Sequence, residues 1–254
     1  MTIFYFTSTG NSLAVAKRIG VNLISIPQII DCQKTHYEDD VIGIIFPVYF
    51  MTLPKMVLDF LEKVKIQADY IFAIGTCGGM PGGAMADFQK QSIKHGFEIH
   101  YANSIVMVDN SLSNTIDKEI NLIPKKNIEE MTTKIVTDIQ GRKHMNATAS
   151  PLSRALTYVF RKNIRRILSP KKGKKFTIDD TCTKCGVCGK VCPAQNIIVT
   201  DEVHFFEQCE NCLGCFHLCP QKAIHLKYEK NSYRWLNPEV TLQEIRNSNN
   251  WLAK

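Results

Sequence analysis

The chain has 254 residues, 44% of them hydrophobic, and a formal net charge of +7. That length allows one domain with a real core plus a smaller one, and the apolar share is ordinary for a soluble globular protein. No basic segment precedes the first apolar run, and the longest such run, Val41 to Leu53, is too short to span a bilayer and is broken by Pro47, so no signal peptide, no transmembrane helix and a cytoplasmic protein are expected.

Ile3 to Phe6 is β-branched and aromatic, the hydroxyl-rich turn Thr7-Ser8-Thr9-Gly10-Asn11-Ser12 follows, and Leu13, Ala16 and Ile19 then repeat at helical spacing. In such a strand–turn–helix a phosphate meets free backbone N–H groups, the positive end of a helix dipole and several hydroxyls, with Gly10 permitting close approach. The turn has neither the lysine of a P-loop nor a G-x-G-x-x-G, and the plain alternative is an ordinary capped turn. Val41 to Phe46 reads as a buried parallel strand ending in Pro47-Val48-Tyr49-Phe50-Met51, and a helix starts near Pro54 with Val57, Phe60, Leu61 and Val64 on one face. Tyr70 to Ile74 is a further strand, opening into the glycine-rich loop 75–83. A helix from Ala84 to His95, a strand from Ile99 to Val108 and a helix carrying Ile128, Met131, Ile135 and Ile139 complete the unit. Strands alternating with helices predict an α/β doubly wound parallel sheet, with loops 7–12, 47–51 and 75–83 sharing the carboxyl edge where such sheets bind ligands.

The run from Thr7 to Ser12 matches the T-x-T-G-x-S phosphate loop of the flavodoxins, and residues 1–140 as a whole resemble a flavodoxin. The resemblance implies a bound FMN: its phosphate on Thr7, Ser8, Thr9, Gly10, Asn11 and Ser12, and its ring flanked by Pro47, Val48, Tyr49 and Phe50 and by Thr76, Cys77, Gly78 and Gly79. Tyr49 or Phe50 would stack on the ring, with an aromatic core contact as the competing reading. Backbone groups around Cys77 to Gly79 would bond the flavin edge. The Cys77 side chain reads as packing in preference to a redox thiol, and Cys32 has no recognisable role. The acidic docking surface of free-standing flavodoxins is weak here, with 12 Lys+Arg against 15 Asp+Glu in residues 1–140.

All the excess positive charge lies in the connector 141–175, which has 11 basic residues and no acidic one. If helical, it places Leu152, Ala155, Leu156, Val159, Phe160, Ile164 and Ile167 on a broad arc opposite Arg154, Arg161, Lys162 and Arg165. A linker helix with one packed face is the plain reading. Docking of an acidic partner and contact with a membrane surface are the alternatives. Nothing resembles a nucleic-acid-binding fold, and no nucleic-acid partner is expected.

Eight of the ten cysteines then occur in two copies of C-x-x-C-x-x-C-x-x-x-C-P: Cys182, Cys185, Cys188, Cys192 with Pro193, and Cys209, Cys212, Cys215, Cys219 with Pro220. Each member of the second copy lies 27 positions after its counterpart, and Ile224 follows Ile197 by the same step, so the stretch is an internal duplication. Two-residue gaps let three thiolates wrap one corner of a cubane, and the fourth cysteine, turned away by its proline, reaches the other, which predicts two 4Fe-4S clusters. Structural zinc and disulfides are the alternatives; zinc sites use separated C-x-x-C pairs, and disulfides need export. The stretch closely resembles the bacterial two-cluster ferredoxins, a small α+β fold. That resemblance implies one cluster on Cys182, Cys185, Cys188 and Cys219 and another on Cys209, Cys212, Cys215 and Cys192. The module, residues 176–229, is too small to be held by its own core, so the clusters would staple it. Val203 to Phe206 would supply a short strand between the halves. His204, His217 and His225 read as solvated or packing residues, and the tail 230–254, with Trp235 and a helical Val240 to Trp251, as a cap on the module.

Together the parts resemble the flavodoxin–ferredoxin fusion proteins of anaerobic bacteria and archaea. The resemblance implies electron transfer between the clusters and FMN, with the chain acting as a carrier between redox proteins. A flavin reductase of a small quinone or nitro acceptor and a non-redox regulator are the other readings, and the chain has no nicotinamide site.

Overall fold

The computed structural model describes residues 1–30, 32–111, 116–153, 155–159, 176–227, 229 and 232–249. In the N-terminal part the strands are β1 (Thr2–Tyr5), β2 (Leu23–Ser25), β3 (His36–Glu38), β4 (Val41–Pro47), β5 (Lys65–Gln67), β6 (Tyr70–Cys77) and β7 (Tyr101–Val106). The helices are α1 (Asn11–Ile19), α2 (Ile26–Ile30), α3 (Lys55–Lys63), α4 (Ala84–Lys94), α5 (Ile116–Asn121) and α6 (Ile128–Gln140). Five strands form one parallel sheet in the order β2-β1-β4-β6-β7, with β3 and β5 paired separately. Counting only the five, this is the 2-1-3-4-5 order of the flavodoxin-like doubly wound fold, and it places the switch point between β1 and β4.

Alternation along the strands sorts side chains to two cores. Phe4, Phe6, Ile42, Ile44 and Phe46 pack with Val57 and Phe60 of α3 and Phe88 of α4. Ile3, Tyr5, Ile45, Phe72 and Ile74 pack with Leu13 and Ala16 of α1 and Ile135 and Ile139 of α6. Gly43 lies under the Phe72 ring, whose nearest atom would stand 2.2 Å from a Cβ there, so only glycine fits.

The expected strands and helices are present, with shifted ends: β6 runs on to Cys77, and β7 is shorter than Ile99 to Val108. The buried stripe of α6 is Thr132, Ile135 and Ile139. Met131, expected inside, is 37% exposed, and Thr132 enters the core by returning its hydroxyl to Ile128 O at 2.7 Å. β2 and α2 are three and five residues long, too short for periodicity to reveal.

Of the connector arc, Leu152, Leu156 and Val159 are exposed (70%, 40% and 52%) and Thr157 is the buried residue, accepting the Gly83 N–H at 2.7 Å. Arg154, Phe160, Arg161, Lys162, Ile164, Arg165 and Ile167 lie outside the described residues. No helix among the described residues is long and apolar enough to cross a membrane.

The cysteine-rich part contains β8 (Phe176–Ile178), α7 (Val187–Lys190), β9 (Ile197–Val199), β10 (Val203–Phe205), α8 (Gly214–His217) and β11 (Ile224–Leu226). The second three elements repeat the first three at a step of 27 residues, and the left-handed residues Lys184, Gly186 and Gln195 recur as Asn211, Leu213 and Lys222. Strands pair across the repeats, β8 with β11 and β9 with β10, both antiparallel. Within the tail α9 spans Leu242–Asn249, and Trp251, expected in the same helix, lies outside the described residues. The tail packs on both parts: Arg234 stacks over Phe216 at 3.8 Å, and Val240 and Ile245 belong to a core that takes in α1, α6 and, from the cysteine-rich part, Val191 and Leu218.

Candidate functional site

The three loops expected at one edge do meet there. Ser12 Oγ bonds Thr76 Oγ1 at 2.8 Å, Val48 N–H donates to Thr76 O at 2.8 Å, and Pro47 pairs with Thr76 in the sheet. Asn11 Nδ2 reaches Val108 O, and the Asn110 amide donates to Thr9 Oγ1. The loop 77–79 leans on the one after β7: a Cβ on Gly78 would stand 2.7 Å from Asp109 Cα, which requires glycine. Gly79 is exposed.

Tyr49 and Phe50 part company. Residues 49–52 close a tight turn by reciprocal Tyr49–Thr52 backbone bonds, with Phe50 and Met51 both left-handed (φ 52° and 60°), a conformation costly for bulky residues. The turn sends Tyr49 inward, edge-on to Phe6 with its hydroxyl 3.4 Å from Ser8 Oγ, and leaves Phe50 42% exposed. Tyr49 thus makes the aromatic core contact. Burial holds its hydroxyl well above the ordinary phenol range, reinforced by the neighbouring Cys212 thiol. Cys77 is buried, donates to Gly79 O at 3.0 Å, and is pushed up to about 11 by burial, the behaviour of a packing thiol.

Loop 7–12 has the chemistry of a phosphate seat. Gly10 is left-handed (φ 99°), the first turn of α1 has no acidic residue, and Gly10 N–H is taken by Thr7 Oγ1 at 3.1 Å. The N–H groups of Ser8, Thr9, Asn11 and Ser12 have no hydrogen-bond partner among the described residues. The donors therefore suit a phosphate, but the loop is covered. Thr7, Ser8, Thr9 and Ser12 are at most 5% exposed, and a Cβ on Gly10 would stand 2.9 Å from Asn237 Cβ and 3.1 Å from Val240 Cβ.

The eight repeat cysteines gather in two groups of four. Cys182, Cys185, Cys188 and Cys219 line one small cavity, and the other three act electrostatically on the Cys188 thiol. Cys212, Cys192 and Cys209 act together on Cys215, with a smaller contribution from Cys188 of the first group. Each group takes its fourth member from the other repeat, as the strand pairing does. Burial raises Cys188 and Cys192 to about 11 and Cys212 and Cys215 further still, so their thiolates need positive charge close by. Asn196 N–H and Asn211 N–H point at the Cys192 and Cys209 sulfurs at 3.3 and 3.4 Å. All ten cysteines are free thiols. Among the described residues no three His, Cys, Asp or Glu side chains close up as around a single metal ion.

The second group sits on the sheet edge. Part-buried Glu210, between Cys209 and Cys212, faces the start of α3, where the backbone N–H groups of Met56 and Lys55 favour its charged form, while burial outweighs them and raises its carboxyl to about 7. His217 is buried between Asn110 O (2.8 Å) and Trp235 N–H (3.3 Å), and burial lowers it to about 4. It is a packing residue. His204 is exposed, and His225 pairs with Asp179 and Glu229. Sequence reasoning missed Asn110, Glu210, Asn237 and Asn249, since no motif marks a residue whose role is to meet another part of the chain. The one available signal was Glu210 standing where the first repeat has Thr183.

No family profile matches the chain, and no curated protein does. Among solved structures it is similar to a crystal structure of a Bacteroides uniformis protein provisionally designated a flavoprotein, at 14% identity and a TM-score of 0.33, over 47% of this chain and 96% of that one. The fold assignment rests on the strand order and not on that likeness.

Proposed function

We propose that the chain is a cytoplasmic iron–sulfur electron-transfer protein. Its repeat cysteines would hold two 4Fe-4S clusters, one on Cys182, Cys185, Cys188 and Cys219 and one on Cys209, Cys212, Cys215 and Cys192, and its loops 7–12, 47–51 and 75–83 are the seat for an FMN. Clusters of this kind exchange single electrons and a flavin exchanges one or two, so the combination serves a carrier working between redox partners. The observation that carries the reading is the gathering of eight thiols into two exchanged groups of four.

The chain's own residues supply the rest. Buried Cys188, Cys192 and Cys215 exclude water, and the Asn196 and Asn211 N–H groups stabilise charge on sulfur, a lever that raises cluster potentials. Glu210 and Gly214 bring the second group to the flavin seat: a Cβ on Gly214 would stand 3.5 Å from Ser8 O and 3.7 Å from Cys212 Sγ. Exposed Cys185 leaves the first group at the surface, where an outside partner can dock. Anaerobic purification with iron, acid-labile sulfide and flavin counted per chain tests this. About eight irons are expected from two 4Fe-4S clusters, together with about one FMN; four irons or colourless protein would overturn it.

A further inference from the structure

The flavin seat is closed by the chain itself. Within segment 235–249 the stretch 237–244 follows α1 from one end to the other, and α9 then returns to the loop, held by Tyr5 and Ser25 at Ser248 and by Val191 O at Asn249. At the loop, Asn237 N–H donates to Thr9 O at 2.8 Å, Asn237 Nδ2 and Trp235 Nε1 reach Asn11 Oδ1 at 3.1 and 3.4 Å, and Asn249 Nδ2 donates to Thr7 O at 3.2 Å. Val240 and Ile245 are buried along α1. At its far end Lys17 pairs with Glu244, and Arg18 forks onto the Glu239 carboxylate through Nε and Nη2.

Two features distinguish this seat from ordinary packing. The N–H groups of Ser8, Thr9, Asn11 and Ser12 receive no acceptor from the segment that covers them. Asn249, fully buried and bonded to the same loop through its Nδ2, has an Oδ1 without a partner. The segment therefore fills the space over the loop without answering its donors, and both sides retain unmade bonds. A phosphate would answer the loop's N–H donors, being an anion at a left-handed glycine and a helix N-terminus, and lifting the segment would free Asn249 Oδ1 to meet water.

We infer that segment 235–249 and the phosphate of a flavin mononucleotide are alternative occupants of loop 7–12, so that flavin binds only as the segment lifts. The inference rests on the FMN reading of that loop. Apparent flavin affinity is then the intrinsic affinity reduced by the fraction of chains with the segment lifted, and anything that loosens the segment raises it.

Hydrogen exchange on the intact, anaerobically purified chain, alone and with FMN or riboflavin, tests the exclusion. FMN is expected to speed exchange within 235–249 while protecting 8–14, and riboflavin, lacking the phosphate, to do neither. The double variant Asn237→Ala/Val240→Gly, checked for fold by circular dichroism, is expected to bind FMN about tenfold more tightly than the parent, by quenching of flavin fluorescence. FMN bound with exchange at 235–249 unchanged, or bound equally by parent and variant, overturns the inference and leaves the FMN seat standing. No FMN bound by either protein overturns both. Iron and sulfide content judges the cluster reading independently.

Discussion

In the first cysteine repeat the residue after the leading cysteine is Thr183, exposed to solvent; in the second it is Glu210, part-buried and facing the start of α3. The first repeat turns through Gly186 and carries Lys190 outward, whereas the second makes the same turn through Leu213 and carries His217 into a buried bridge to Asn110 and Trp235. The backbones agree element for element. Local geometry is thus set by the spacing of cysteines and left-handed residues, while a few substitutions decide which copy meets the sheet and which meets solvent. Duplication supplies two equal thiol groups, and docking makes them unequal.

Stripping the iron with a chelator should break the comparison altogether. Both repeats are expected to lose amide protection at β8 to β11, because so small a core cannot stand without its staples, while β1, β4 and β6 stay protected in the same hydrogen-exchange run. The exchanged fourth ligands come next. Cys192→Ser should damage the cluster of the second group and Cys219→Ser that of the first, each the one distant in sequence, as resolved by EPR of the reduced protein.

The docking contacts sharpen the comparison at a finer level. His217→Ala should cost ~1–3 kcal/mol in denaturant unfolding, since a buried carbonyl and a buried N–H lose their partner, while its counterpart Lys190→Ala should be nearly silent. Glu210→Ala removes a carboxyl that faces the start of α3 and should cost about 1 kcal/mol in the same measurement, against a change within about 0.5 kcal/mol for Thr183→Ala. The smallest effect lies in the tail. The bond from Lys17 holds the Glu244 carboxyl at about 2 against 4.5. Its folded value being depressed, its contribution is present above the unfolded value and fades as pH falls from 4.5 toward 2. Both side chains are more than a third exposed, so the loss is small: slightly faster exchange of α9 amides at pH 3 than at pH 6, absent in Glu244→Gln.

The apolar runs at Val41 and Tyr70 and the helical spacing from Val57 to Val64 made the parallel sheet legible, because a strand covered on both faces must be apolar throughout. The turn at Thr7 to Ser12 marked the edge that matters. The 27-residue step carried the cysteine-rich part almost whole, down to β10, since thiol spacing is a local property. Met131 and the connector arc went the other way: helical period locates a face, but which face is covered depends on what packs there, and Thr132 and Thr157 are covered.

By itself the amino-acid sequence determined the main strands and helices of the sheet, the strand alternation and the repeated cysteine spacing, all of which follow from interactions between residues near in the chain or repeated at a constant step. Only the tertiary structure decided that the second repeat lies on the carboxyl edge of the sheet and that Asn237, Val240 and Asn249 lie over Gly10 and its neighbours. Those contacts join residues more than 100 positions apart through single hydrogen bonds and close packing, which leave no period or motif behind.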